Sequence, residues 1–130
     1  MAALSDHAEN LLLNFLMTTG TATRPTNWYL ALFTAAPSDS GGGTECSGNG
    51  YSRQSVSWDT AIGTGGTTSN SGNVTFTASG GNFGNVTHIG IFDASSGGNL
   101  LWHGAMAAAK QVNAGDSIQF ATGSIDLTIA

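Results

Sequence analysis

"THIGIFDASSGGNLLWHG", running from Thr87 to Gly104, sets two alternating apolar runs on either side of a segment rich in Ser and Gly. That pattern predicts a β-hairpin. If Ala94–Gly97 form the turn, Asp93 faces Gly98, Ile91 faces Leu100, Ile89 faces Trp102 and His88 faces His103. One face then carries Ile89, Ile91, Leu100 and Trp102, an apolar set that should point into a core. The other carries His88, Gly90, Phe92, Leu101 and His103.

The same period of two extends outward in both directions. "NWYLALF", Asn27 to Phe33, is continuously apolar and reads as a strand buried on both faces or overlain by a helix. "YSRQSVSW" and "NVTFTA" alternate, as do Ile118 with Phe120 and then Ile125, Leu127 and Ile129. "GNVT" occurs at Gly72–Thr75 and again at Gly84–Thr87, a spacing of twelve residues that suits successive strands of a sandwich or barrel. Two polar, turn-rich stretches, Ser38–Asn49 and Gly63–Ser71, read as surface loops. About eight strands follow, and the expected fold is all-β: an antiparallel β-sandwich of jelly-roll-like type.

Ahead of the strands, "SDHAENLLLNFLMTTG" predicts one N-terminal helix. Ser5 can cap its start, Asp6 and Glu9 lie where the helix dipole favours anions, and Gly20 can close its end. Ala8, Leu11, Leu12, Phe15 and Leu16 form one apolar stripe at helical spacing, so the helix should dock on its own sheet or on a neighbouring subunit. The expected organisation is a single domain over 1–130, with an N-terminal arm and helix over 1–20 and the sandwich over 27–130.

Charged residues make up only 8 % of the chain, against roughly 25 % in an average soluble protein. Ser, Thr, Asn and Gly must therefore cover the surface, which suits a protein that works in an assembly. Arg24, Arg53 and Lys110 are the only basic side chains and the net charge is −5, so no phosphate-tracking stripe can form and nucleic acid is excluded as a direct partner. Cys46 is alone, which excludes an internal disulfide. The longest apolar run, near Leu11–Phe15, is interrupted by Asn14, and the N-terminus lacks the basic flank of an export signal; no membrane association is expected.

Candidate chemistry is sparse. His88 and His103, paired across the hairpin, could bridge a metal ion, but a zinc site needs a third protein ligand and none stands at a suitable spacing; no metal is expected. No G-x-S-x-G elbow occurs, the carboxylates fall mainly in turn sequences, and "GTGGTT" has no lysine, so no catalytic residues and no cofactor are assigned. Of the tryptophans, only Trp58, at a strand end beside a Gly-rich loop, reads as an exposed platform.

Taken in order, "SDHAENLLLNFL", "WYLALFTAAPSDSGGGTECSGNGYSRQSVSW", "SNSGNVTF", "VTHIGIFDASSGGNLLWHGAM" and "VNAGDSIQF" resemble a family of small tailed-bacteriophage virion proteins, labelled tail fibre proteins or capsid decoration (cement) proteins. The resemblance covers nearly the whole chain. It implies a non-enzymatic structural subunit, made in the host bacterial cytoplasm and carried on the virion. The favoured expectation is a homo-trimer on the capsid surface that bridges major capsid proteins and stabilises the head. The alternative is a small tail fibre or tail-tip module binding a host surface glycan or protein. No small-molecule substrate is implied. The side chains expected to meet neighbours are Leu12, Phe15, Leu16, Phe92, Leu101, His88, His103 and Trp58.

Overall fold

The computed structural model describes residues 2–129. Among these, ten strands and one helix follow in the order β1 (Ala2–Leu4), α1 (Asp6–Met17), β2 (Tyr29–Ala35), β3 (Thr44–Glu45), β4 (Gln54–Ser55), β5 (Thr67–Ser69), β6 (Val74–Thr77), β7 (Gly84–Phe92), β8 (Leu100–Val112), β9 (Ser117–Phe120) and β10 (Asp126–Thr128). The six-stranded main sheet has the order β1-β8-β7-β2-β3, with β4 also paired to β2. Two smaller ladders, β5 with β10 and β6 with β9, face it, and every pairing is antiparallel. The fold is an all-β sandwich with one N-terminal helix.

The core lies between these layers. Leu30 and Leu32 of β2, with Val86 and Ile91 of β7, meet Val74 and Phe76 of β6, Ile118 of β9 and Leu127 of β10. Residues Leu30 to Phe33 are all buried, so β2 is covered on both faces, as its unbroken apolar run requires. On its outer side Phe33 stacks on Phe92 of β7 with ring centroids 6.3 Å apart. Gly90 sits beneath that pair: a Cβ there would come within 2.8 Å of the Phe33 ring and 3.0 Å of Leu100. Only glycine leaves room for the stack.

The hairpin departs from its expected register by two residues. The turn is five residues long, Ala94–Gly98, with Gly97 and Gly98 at positive φ (61° and 73°), and Phe92 pairs with Leu100. Leu101 is then an extra residue in β8, so that Ile91 faces Trp102, Gly90 faces His103, Ile89 faces Gly104 and His88 faces Ala105. The longer turn and this bulge each displace the register by one. Their sum preserves parity, and Ile89, Ile91 and Trp102 share the inner face as expected. Leu100 and Leu101 exchange roles. Leu100 pairs with Phe92 and abuts Gly90 on the outer face, whereas Leu101 lies with Ile91 and Trp102 on the inner one.

Ser5 fixes this corner. Its amide donates to the Leu101 carbonyl at 2.9 Å, its hydroxyl donates to the Leu100 carbonyl, and the same oxygen accepts from the Ala8 amide at the start of α1. The bulge carbonyls and the helix N-cap are thus satisfied by one residue that is 1 % exposed. The helix departs from expectation at its other end. It stops at Met17, with Thr18 in extended geometry and its hydroxyl on the Asn14 carbonyl, so Gly20 does not close it. Of the apolar stripe only Ala8 is buried.

Three strands lie where loops or an arm were expected. Ala2–Leu4 pairs with Gly104–Trp102 of β8, and Thr67–Ser69, inside the Gly63–Ser71 stretch, pairs with β10. Thr44–Glu45 likewise joins β2 from within the Ser38–Asn49 stretch.

Candidate functional site

His88 and His103 are not a cross-strand pair. His88 Nδ1 bonds the Thr87 hydroxyl at 2.8 Å, while His103 Nε2 lies 2.7 Å from Asp39 Oδ1 and ties β8 to the loop after β2. The two imidazoles are held by different partners, and among the described residues no group of three or more His, Cys, Asp or Glu is placed to hold a metal ion.

The dominant polar cluster is one that sequence reasoning missed. Arg53 reaches Glu45 with two parallel bonds, Nε to Oε2 at 2.9 Å and Nη2 to Oε1 at 2.8 Å. Its Nη1 donates to the carbonyls of Ala94 and Gly97, at 2.9 and 2.8 Å, in the β7–β8 turn. The guanidinium carbon sits 3.6 Å from the Phe92 ring centre. Tyr51 donates to Glu45 Oε2 at 2.7 Å and accepts from the Leu32 amide. Burial disfavours the Glu45 carboxylate, yet the bonds from Arg53 and Tyr51 and the Arg53 charge outweigh it and hold the carboxyl below its ordinary value. Burial, with the Glu45 bond added, pushes the Tyr51 phenol far above its usual range. Burial and the Glu45 charge likewise raise the Cys46 thiol, which suits an unreactive core residue. This cluster is a clamp: it locks the hairpin turn to β3 and β4 and presents no open reactive group.

The expected contact residues divide accordingly. Phe92 is half-buried on the outer face between Arg53 and Phe33, and Leu101 is 5 % exposed on the inner face. Leu12 is half-buried, but Phe15 and Leu16 are 73 % and 67 % exposed, and Leu13 and Met17 extend the same uncovered end of α1. Helical periodicity identified the apolar stripe; it could not say that the described residues cover only its first half, through Ala8, Leu11 and Leu12.

Trp58 is half-buried at the edge of a cleft between the main sheet and the β5–β10 ladder. Trp28 and Trp102 line the same cleft, which has a volume of about 390 Å³. The structure therefore gathers rings that lie far apart in sequence.

A family model described as Podophage GP4 fiber I protein gp80 matches residues 3–128. No curated protein matches the chain.

Proposed function

From the premise that the chain belongs to the podophage GP4 fiber I protein gp80 family, a family of tailed-phage virion proteins, we propose that it is a non-enzymatic building block of a fibre on the phage particle. The observation that carries this reading is the uncovered apolar end of α1, where Leu13, Phe15, Leu16 and Met17 are all more than half exposed. An exposed cluster of this kind on a chain with few charges supports association with neighbouring proteins. The stiff β-sandwich behind it suits a module that transmits load. Fibre length in this reading comes from joining such modules, since the described residues hold no elongated shaft.

Gold-labelled antibody against this chain, imaged on purified particles, tests the assignment. Label on appendages, at a low copy number by gel densitometry, is the expected result. Label spread over the faces of the head in hundreds of copies would replace it with the shell-bridging role, in which major capsid protein is the partner. Self-association, expected from the resemblance as a trimer, is read by sedimentation of the purified protein.

A further inference from the structure

All three tryptophans of the chain converge on the cleft between the two layers. Each is half-buried, and among the described residues none of their indole N–H groups has a hydrogen-bond partner. No buried polar side-chain atom is left unsatisfied among the described residues, so the indole N–H groups reach solvent. Trp N–H groups packed in an apolar setting ordinarily find a partner. At the same mouth stand the Asp59 carboxylate and the Thr67 hydroxyl, likewise unpartnered among the described residues; only the neighbouring Thr68 hydroxyl is engaged, on the Asp59 carbonyl at 2.9 Å. No lysine or arginine lines the cleft.

We infer that this cleft binds a neutral saccharide. A pyranose carries an apolar C–H face and a rim of hydroxyls that both donate and accept. The indole rings, with Ile62, Leu101 and Leu127 beside them, offer the surface for the face, and Asp59 and Thr67 offer hydrogen-bonding groups for the hydroxyls. The cleft falls within the range of small-ligand pockets, about 300–1,000 Å³, and has room for a short sugar unit. A purely aliphatic guest would set these polar groups against hydrocarbon, which is costly. An anionic sugar would meet the Asp59 carboxylate with no cation to offset it. The inference extends the virion-surface reading by giving the module a ligand. It is tested on isolated protein, so its failure leaves the particle-labelling result standing.

Because the chain has no other tryptophan, the three indole N–H resonances of ¹⁵N-labelled protein all report on this cleft. They are followed while the methyl glycosides of glucose, mannose, galactose, rhamnose and N-acetylglucosamine are titrated in turn to millimolar excess, beside the methyl glycoside of galacturonic acid and a proline-rich decapeptide. Saturable shifts of at least two indole peaks with one or more neutral glycosides, and none with the acid, are expected. Trp58→Ala should weaken that binding by about 3- to 10-fold, the loss of one aromatic contact. Asp59→Asn, at an exposed side chain, should weaken it while the core amide peaks stay in place. No indole shift with any neutral glycoside, equal response to the acid, response to the peptide alone, or unchanged binding in both variants would each overturn the inference.

Discussion

Asn70 shows how much one side chain can hold. It is fully buried, donates through Nδ2 to the carbonyls of Gly72 and Ala121 at 2.8 and 3.0 Å, and accepts from the Ile125 amide at 2.9 Å. Asn70→Ala strands three backbone groups in the interior, so we expect a loss of about 3 kcal/mol in chemical denaturation; a loss below about 1 kcal/mol, measured the same way, would mean that the knot is not structural. Arg53 is almost as fully engaged, with its side chain 9 % exposed. Arg53→Met removes the donor for Glu45 and for both turn carbonyls and should cost about 2–4 kcal/mol, with faster amide exchange at Asn99 as its local sign. Glu45 sets a pH dependence of definite sign. Its carboxyl is lowered in the folded state, so the stability it contributes is complete above the unfolded value near 4.5 and drains away as pH falls through the folded one. Thermal melts of the wild-type chain should therefore weaken progressively below about pH 5, and Glu45→Gln should flatten that acid limb. An unchanged limb would place the acid sensitivity elsewhere.

At the scale of elements, the end of α1 and the bulge in β8 make opposite predictions. Phe15→Ser with Leu16→Ser alters side chains that touch little, so stability should move by less than about 0.5 kcal/mol while any self-association seen by sedimentation weakens. Loss of fold with loss of association would show that the helix end is buried after all. Deletion of Leu101, by contrast, removes an inward-facing side chain and the carbonyl that accepts from the Ser5 amide, so it should cost about 2–4 kcal/mol in chemical denaturation, while Phe92 stays opposite Leu100 and Ile91 opposite Trp102. Which parts of these elements were legible in sequence has a physical basis. Alternation identified the inner-facing set Ile89, Ile91 and Trp102, because a period of two survives a two-residue displacement. It could not locate the bulge: Leu100 and Leu101 are chemically identical, so no pattern says which of them turns inward. β5 reads Thr-Thr-Ser and carries no alternation at all; its strand character comes from β10, remote in the chain. The Arg53 clamp and the gathering of three tryptophans are likewise products of topology, and no local spacing announces them.

For the molecule as a whole, cohesion is unevenly distributed. β2, β7 and β8 are paired along most of their length and flank the core, whereas α1 is held at its first turn through Ser5 and Ala8, is half-buried at Leu11 and Leu12 and is exposed from Leu13 to Met17. Native-state hydrogen exchange should accordingly rank the amides of Leu30–Phe33 and Ile89–Ile91 slowest and those of Leu13–Met17 among the fastest; equal protection in both would contradict the structure. That gradient suits the proposed module, with a rigid sandwich body and an exposed apolar helix end. The compensating turn and bulge have one last implication, for how such a chain can change over time. Each shifts the strand by one residue, so a single inserted or lost residue near the tip turns the side chains beyond it to the other layer unless a bulge is gained or lost with it, while a double change restores them. Variants of this hairpin should survive selection in even increments, and in odd ones only where a bulge appears or disappears at the same time.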